Sequence, residues 1–385
     1  MDRFPGYLRR DGRAGVRNHV LILPSVICAA HTAMEIAQHV PGTVGVCHQH
    51  GCAQVGPDAE QTFRTLAGTG ASPNVFGVVV VGLGCESISA ERLAAAIAET
   101  GKPVEVVMIQ EQGGSRRAAA VGARLAERLV EASRQVERQP LNVSELVVGT
   151  ECGGSDAFSG LSANPGMGAA ADLFVAAGAT VILTETTELI GAEHVLMRRA
   201  RSREVAEDIE RIVRRMEEAA PSGGLGSVRA LAPGNIEGGL TTIEEKSLGC
   251  IGKGGTTPVQ QVMEYAERPT RRGLVIMDGP GQDGESVSGL AAAGAQIVLF
   301  STGRGTPLGA VVAPVIKVAS TGELYRRMRD NMDVNAGTVL EGRETAEELG
   351  RRLYERTLRV AGGDLTRSEE VGHREFAIAR TWRTL

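Results

Sequence analysis

Short runs of consecutive apolar residues alternate along most of the chain with longer stretches in which apolar residues recur every three or four positions. The runs are typical of strands buried on both faces, and the spaced pattern is typical of helices with one buried face. The predicted strands are residues 19–23, 75–81, 104–109, 145–148, 180–184, 274–277, 296–300 and 315–318, and the predicted helices are residues 29–38, 90–99, 115–134, 168–177 and 203–219. This alternation predicts an α/β fold with mostly parallel sheets and helices on both faces.

The pattern is interrupted at residues 135–143, which are mainly polar. We therefore predict two Rossmann-like domains, an N-terminal α/β domain over residues 1–138 and a C-terminal α/β domain over residues 139–385 that carries the catalytic residues. A second irregular stretch, residues 221–239, is rich in glycine and proline, and the chain beyond residue 323 is predicted to be mainly helical.

Composition narrows the possible functions. Fifty glycines among 385 residues, many of them directly after apolar runs, favour tight loops that approach a ligand closely. A net charge of −5 argues against nucleic acid as a partner. No apolar stretch approaches the ~20 residues that span a bilayer, and the first residues lack the apolar segment of a secretory signal. We therefore expect a cytoplasmic protein without a membrane partner, with its six cysteines reduced and free to bind metal.

Two segments at predicted strand ends share an unusual set of side chains. Residues 149–156 follow the apolar residues 146–148, and residues 82–87 follow the apolar residues 78–81. Each segment offers glycines together with a cysteine, a glutamate and a serine, which is too polar a set for a core turn. Strand-end loops of parallel sheets meet at the carboxyl edge, where ligands bind, so this arrangement points to a metal-assisted enzyme.

The candidate metal ligands are His48, Cys52, Cys85 and Cys152. The three cysteines lie in three separate strand-end loops, where three thiolates would suit an iron–sulfur cluster. Fewer thiols with His48 and a carboxylate would instead suit a single ferrous ion, and the sequence leaves both readings open. The segment 47–52 is also consistent with a redox-active cysteine pair or with ordinary polar residues at a strand end, and Cys28 and Cys250 are equally well explained as small core residues.

Candidate acid–base groups follow the predicted strand 180–184. Glu185 and His194 are the candidates there, whereas Glu188 and Glu193 are also explained as acidic residues in the first turn of a helix. Lysine is scarce beside arginine, so Lys246 and Lys253 in and near a glycine-rich segment are expected to bind carboxylate or transfer protons. Arg304, flanked by glycines after another predicted strand, is suited to a bidentate contact with a substrate carboxylate.

Several longer motifs together resemble the altronate/galactarate dehydratase family, a group of lyases that also includes the large subunit of sulfolactate sulfo-lyase. The matching segments are residues 6–18 with Arg13 and Arg17, 48–52, 73–75, 82–86, 149–156, 164–165, 185–194, 233–235, 244–249, 303–305 and 333–337. They extend over nearly the whole chain. The resemblance implies an iron-dependent lyase acting on 2-hydroxy acids, of which the sugar-acid members give 2-keto-3-deoxy acids.

The resemblance also implies a partner. Sugar-acid members carry a small domain ahead of the glycine–tyrosine motif, whereas that motif begins here at residue 6. This layout looks like the large subunit of the sulfo-lyase, so we expect a separate small subunit, a homo-oligomeric assembly, and either a sugar acid or 3-sulfolactate as substrate.

The expected reaction is β-elimination, in which a metal chelates the carboxylate and 2-hydroxyl of the substrate and stabilises the enolate. Glu185, His194 or Lys246 is the expected base, and Glu86 or His48 is the expected acid. The residues expected to bind the substrate are Arg13, Arg17, Ser155, Asp156, Asn164, Lys253 and Arg304.

Two other functions compete with the lyase. A non-catalytic subunit that binds sugar acids would explain the same polar segments. A nicotinamide dehydrogenase would suit the fold, but Gly82-Leu83-Gly84 continues without the third glycine of the dinucleotide-binding motif.

Overall fold

The computed structural model describes residues 3–219 and 230–382. It confirms an α/β fold with mostly parallel sheets. Within the described residues, no helix combines the length and the apolar character that crossing a bilayer requires. The predicted irregular stretch 221–239 lies partly outside the described residues, and its described end contains a short helix.

The N-terminal part of the chain contains a four-stranded parallel sheet. The strands and helices of residues 3–142 are β1 Arg3–Leu8, β2 Ala14–Gly15, β3 His19–Pro24, α1 Ile27–His39, β4 Thr43–Gly45, α2 Gly56–Gly70, β5 Val75–Gly82, α3 Ala90–Ala98, β6 Val104–Met108, α4 Ser115–Arg134 and β7 Gln139–Asn142. The parallel sheet has the order β4-β3-β5-β6. Val78 and Val80 pack on the side of α2 and α3, whereas Val79 and Val81 pack on the side of α1 and α4. Burial on both faces explains the uninterrupted valine run in the sequence.

The rest of the chain forms a seven-stranded parallel sheet. Its elements are β8 Val147–Gly153, α5 Ala163–Ala176, β9 Thr180–Leu183, α6 Glu193–Met197, α7 Arg203–Ala219, α8 Pro233–Glu237, α9 Ile243–Ile251, β10 Val259–Met263, β11 Gly273–Met277, α10 Asp283–Ala292, β12 Ile297–Thr302, β13 Val315–Ala319, α11 Gly322–Arg327, β14 Val334–Asn335, α12 Gly337–Leu340, α13 Ala346–Ala361 and α14 Arg367–Val371. Three 3₁₀ turns occupy Val143–Glu145, Thr186–Glu188 and Gly252–Gly254. The strand order is β10-β11-β9-β8-β12-β13-β14, which places β8 and β9 at the centre.

Strand β8 is longer than predicted. The apolar run ends at Val148, but pairing with β12 continues to Gly153, opposite Thr302. The Gly-Thr-Glu-Cys-Gly segment is therefore in the sheet instead of in the loop beyond it. Strand pleating then sends the side chains of Glu151 and Cys152 to opposite faces.

A small antiparallel sheet was not predicted from the sequence. It pairs the N-terminal strand β1 with β2 and with β7, the strand that precedes the larger parallel sheet in sequence. It has the order β2-β1-β7. Phe4, Ala14 and Val16 pack into the core of the larger sheet, while Ile378 near the C-terminus packs into the core of the smaller one. Residues near each end of the chain therefore pack against the parallel sheet formed by the other part of the chain. The domain boundary between residues 138 and 139 stays a prediction.

Candidate active site

Six polar side chains meet in a buried cluster at the carboxyl edge of the larger sheet. Cys152 comes from β8, Glu185 follows β9, and Glu188 lies in the 3₁₀ turn behind it. The other three, Lys246, Cys250 and Lys253, come from α9 and the 3₁₀ turn that follows. We call these six residues the thiol–lysine cluster.

Lys253 is at the centre of the thiol–lysine cluster. Its side chain is 1% exposed, and its ammonium forms an ion pair with Oε2 of Glu185. The same Nζ lies 3.1 Å from Sγ of Cys152 and 3.4 Å from Oε2 of Glu188. A fully buried ammonium requires such partners, because an unpaired charge in the interior is strongly unfavourable.

Two thiols and one carboxylate of the cluster form a compact group. Cys152 donates from Sγ to Oε2 of Glu188 over 2.9 Å, and the sulfurs of Cys152 and Cys250 are 3.2 Å apart. Oε1 of Glu188 lies 2.7 Å from Nζ of Lys246. Within the described residues, Cys152, Glu188 and Cys250 are the one group of three potential ligands whose donor atoms lie within 4.8 Å of one another.

The backbone around Glu185 is unusual. Glu185 has a φ of 72°, in the left-handed region, which costs a non-glycine residue on the order of 1–3 kcal/mol. Hydrogen bonds from Thr186 N to Gly279 O and from Glu188 N to Glu185 O, both 2.8 Å long, hold this turn. The turn lets Glu185 and Glu188 both face the cluster although they are only three positions apart in the sequence.

Close packing of α5 places Lys253. A side chain at Gly168 in α5 would meet the carbonyl oxygen of Gly252 at 2.1 Å, so only glycine fits there. Asn164, in the first turn of the same helix, donates to the carbonyl of Gly249 over 3.0 Å and accepts from Ser301 over 2.6 Å. Helix α5 therefore fixes the position of the C-terminal end of α9.

The two glutamates of the cluster have opposite pKa shifts. Burial acts to raise the pKa of Glu188, but the adjacent Lys246 and Lys253 ammonium groups prevail and lower it to about 2. Burial is the main cause that raises the pKa of Glu185 well above its usual value, and the acidic groups beside it, Cys152, Glu151 and Glu188, act in the same direction. Glu188 is therefore a carboxylate at neutral pH, whereas Glu185 takes up a proton more readily than an exposed glutamate does.

On the opposite face of the sheet lies a second set of buried polar groups. Glu151 accepts a hydrogen bond from Ser286, and burial raises the pKa of Glu151 to about 8. Lys317 is fully buried, with Nζ 3.1 Å from the centre of the Phe300 ring, and burial lowers its pKa to about 7. No sequence feature marked Lys317 as a candidate, because its neighbours in β13 form an ordinary apolar strand.

Of the predicted substrate-binding residues near the end of β8, one lies beside the thiol–lysine cluster and two make other contacts. Ser155 lies beside the cluster, with Oγ 3.6 Å from Sγ of Cys152. Asp156 accepts from Ser159 N and Oγ and from Ser320 Oγ, at 2.8, 2.7 and 3.0 Å, so its carboxylate holds the loop together. Arg304 is exposed and pairs with Glu237 over 2.8 Å.

The remaining predicted metal ligands, His48, Cys52 and Cys85, lie at the carboxyl edge of the smaller sheet. His48 is buried, with Nε2 2.8 Å from Pro24 O, and burial lowers its pKa to about 4. Cys52 and Cys85 are exposed, unlike Cys152. None of these three belongs to the compact Cys152, Glu188 and Cys250 group.

Glu86, a predicted catalytic acid, organises the loop in which it lies. Its carboxylate accepts from Ser25 Oγ at 2.7 Å and from the backbone N–H groups of Gly84 and Cys85 at 2.6 and 3.0 Å. Burial acts to raise the pKa of Glu86, but these hydrogen bonds prevail and lower it. Its role in proton transfer stays a prediction.

Three further predicted residues lie in other surroundings. Arg17 donates to both carboxylate oxygens of Glu369, at 2.7 and 2.8 Å, and to three backbone carbonyl groups. Arg13 binds Asp11 and the carbonyl of Ala71, and His194 is exposed on α6. The contacts of Arg17 explain it as a structural residue, and the substrate and catalytic roles predicted for these three residues stay predictions.

Sequence reasoning gave little weight to Glu188 and Cys250, which the structure places in the cluster. A signal was present for Cys250, because it follows Lys246 by four residues in a helix and therefore shares its face. Glu188 resembled an ordinary acidic residue at a helix start, and no sequence feature showed that its carboxylate is buried between two lysines.

Two family models together match most of the chain. Residues 6–134 match the model described as D-galactarate dehydratase/altronate hydrolase, second domain, and residues 143–384 match the one described as D-galactarate/altronate dehydratase, C-terminal.

Three curated proteins are similar to this chain over nearly its whole length. The (2R)-sulfolactate sulfo-lyase subunit beta of Chromohalobacter salexigens is 39% identical, over 99% of this chain and 98% of its own length. The altronate dehydratase of Bacillus subtilis is 37% identical, over 99% of this chain and 78% of its own length. The galactarate dehydratase (L-threo-forming) of Escherichia coli is 38% identical, over 97% of this chain and 76% of its own length.

Proposed function

Because the chain belongs to the D-galactarate/altronate dehydratase family, we propose that it is a metal-dependent lyase that converts a 2-hydroxy acid into a 2-oxo acid by β-elimination. The proposal rests on the thiol–lysine cluster, which combines a potential metal site with a buried carboxyl group and two ammonium groups. The relatives are named for elimination of water from sugar acids or for cleavage of sulfolactate. We therefore propose altronate, galactarate or 3-sulfolactate as the substrate.

The donor set of Cys152, Glu188 and Cys250 fits a divalent transition metal. Two thiolates and one carboxylate provide soft and hard ligands together, as iron accepts. The neighbouring lysines support the negative charge that these ligands carry when deprotonated. An iron ion bound there would supply a Lewis acid for the carboxylate and 2-hydroxyl of the substrate. A cluster on Cys52, Cys85 and Cys152 has less support, since two of these thiols are exposed and the third is buried.

Glu185 is the base that the geometry favours. One of its oxygens, Oε2, is held by Lys253 and by the N–H of Cys152 at 3.1 Å. The other, Oε1, accepts no hydrogen bond from an N–H or O–H donor outside the carboxyl groups of the described residues, and the carboxyl group of Glu151 shares a hydrogen bond with Glu185. A carboxyl group with a raised pKa, held by an ammonium through one oxygen, is suited to exchange a proton with a substrate.

Lys246 is suited to receive the substrate. Its side chain is 16% exposed, whereas those of Lys253, Glu185 and Glu188 are at most 3% exposed. An anionic substrate entering from solvent would therefore meet the ammonium of Lys246 before the deeper groups. We propose that Lys246 orients the substrate carboxylate, and that Ser155, beside Cys152, contacts the substrate from the strand side.

We also propose a small partner subunit. The proposal is supported by the sulfo-lyase relative, which is named as a subunit and matches this chain over 98% of its own length.

The direct test is an anaerobic assay of the iron-loaded protein with altronate, galactarate and 3-sulfolactate in turn. The products to measure are the 2-oxo acid in every case and sulfite with 3-sulfolactate. We expect turnover of one of these acids and a loss of at least ~100-fold in Glu185→Gln, consistent with removal of a general base. Absence of turnover with all three acids, in a folded protein that binds iron, would instead favour a non-catalytic binding subunit.

A further inference from the structure

We propose that Cys152 and Cys250 form a reversible intramolecular disulfide when a peroxide oxidises them, and that this bond switches the thiol–lysine cluster off. The modification is independent of turnover, and only its effect on activity rests on the proposed function.

The two sulfurs are already in contact. Sγ of Cys152 and Sγ of Cys250 lie 3.2 Å apart, although 98 residues separate them. A disulfide has an S–S length of about 2.05 Å, so bond formation requires the sulfurs to approach by roughly 1 Å. No other pair among the six cysteines, all of which lie in the described residues, shows such a contact. The remaining four are exposed at the carboxyl edge of the smaller sheet and in its helices and loops.

The surroundings of Cys152 favour it as the sulfur that reacts first. Nζ of Lys253 is 3.1 Å away and Oγ of Ser155 is 3.6 Å away, and both groups are able to stabilise a thiolate. Oε2 of Glu188, 2.9 Å from the same sulfur, accepts a hydrogen bond from it and holds it in place. Cys250 then lies at contact distance as the resolving thiol.

The reaction balances with hydrogen peroxide as the oxidant. The Cys152 sulfur attacks one peroxide oxygen and the O–O bond breaks, which gives a sulfenic acid and one water. The Cys250 sulfur then attacks the sulfenic sulfur, forms the S–S bond and expels hydroxide, which takes up the Cys250 proton to give a second water. Two thiols lose two electrons in total, and the peroxide is reduced to two waters.

A disulfide at this position would change the cluster in a defined way. The thiol hydrogen bond from Cys152 to Glu188 would be lost, and both sulfurs would cease to be available as metal ligands. Reduction by a dithiol would restore the thiols and therefore the original contacts.

The test uses the quadruple variant Cys28→Ser, Cys47→Ser, Cys52→Ser, Cys85→Ser, which keeps only the buried pair. Burial raises the pKa of Cys152, so the pair should react more slowly than exposed thiols, which would otherwise consume the oxidant. After hydrogen peroxide treatment and quenching, the protein is denatured, alkylated, digested with trypsin and analysed by mass spectrometry. We expect loss of both alkylatable thiols, a linked pair of peptides containing residues 152 and 250, and full recovery with dithiothreitol.

Adding Cys250→Ser to this variant gives the matched control. Oxidation should then stop at a sulfenic acid on Cys152, which dimedone traps. Both thiols remaining alkylatable in folded protein, or equal linkage in protein unfolded before oxidation, would overturn the proposal. If the quadruple variant does not fold, isotope-coded alkylation of the wild-type protein measures the oxidation of each cysteine separately. A linked peptide pair in a protein that turns over no 2-hydroxy acid would support the disulfide and contradict only the lyase function.

Discussion

The Cys152 sulfur lies 2.9 Å from Oε2 of Glu188, although Glu188 follows it by 36 residues and comes from a different strand end. The contact exists because β8 and β9 are adjacent parallel strands, so the segments that follow them leave the sheet at the same edge. It joins the most distinctive sequence motif of the chain to a glutamate that resembled an ordinary helix-start residue.

The first prediction concerns metal. Cys152→Ala and Cys250→Ala should each reduce bound iron to background, because each removes one of three adjacent ligands. The measurement is iron and acid-labile sulfide in anaerobically purified protein. Sulfide accompanying the iron would indicate a cluster, and iron alone would indicate a single ion.

Cys85→Ala is the matched comparison, since Cys85 was predicted as a ligand but is exposed. We expect it to retain its iron. Loss of iron in Cys85→Ala with normal iron in Cys250→Ala would contradict the Cys152, Glu188 and Cys250 site and restore the three-cysteine reading.

The second prediction concerns stability. Lys253→Met leaves Glu185 and Glu188 without their shared ammonium, and removing one partner of such a buried pair costs about 3–5 kcal/mol. Lys246→Met should lower the free energy of unfolding less, because Lys246 contacts one carboxylate and is partly exposed. Urea unfolding measures both, and an equal or larger loss in Lys246→Met would show that the buried ion pair is not the main stabilising contact.

The third prediction tests whether Arg17 stabilises the fold or binds the substrate. Arg17→Lys removes a bidentate contact with Glu369 and should lower the free energy of unfolding by about 2–4 kcal/mol. KM for the hydroxy acid should stay unchanged. The control is Arg13→Lys, whose more exposed contact with Asp11 should cost less than ~1 kcal/mol. A raised KM at normal stability in Arg17→Lys would support the substrate-binding role instead.

The fourth prediction concerns pH. Burial lowers the pKa of Lys317 from 10.5 to about 7 in the folded protein. Between these values the unfolded chain binds more protons than the folded protein, so this lysine makes stability rise with pH, by at most roughly 5 kcal/mol in total. Below pH 7 the ammonium is charged in both states, and its burial is a constant cost.

Lys317→Met should therefore raise stability most below pH 7 and remove the rise above it. The measurement is the difference in unfolding free energy between variant and wild type from pH 5 to 9, a range chosen as about two pH units on either side of that pKa. Glu151, whose pKa is raised to about 8, contributes the opposite slope below pH 8. Glu151 and Asp283 also act electrostatically on Lys317, so the test is the change of the difference above pH 8. A difference that does not change with pH would contradict a depressed pKa for Lys317.

The sequence was sufficient to predict most strands, because a parallel strand buried on both faces needs an uninterrupted apolar run. Val78 to Val81 is such a run, and it forms part of β5. The small sheet containing β1 and β7 was missed because its strands are short and include prolines, glycines and charged residues. The extension of β8 to Gly153 was missed because its ladder depends on β12, about 150 residues away in sequence.

The sequence by itself determined the fold class, the family, and the position of Glu185 just after a strand. These follow from the period of the apolar residues and from the local motifs, which are properties of neighbouring positions. Only the tertiary structure decided which strand ends meet, and therefore that Cys152 lies with Glu188, Cys250 and Lys253 instead of with Cys52 and Cys85. The physical reason is that strand order and the pleat of β8 select the partners of each side chain, and neither is a property of adjacent residues.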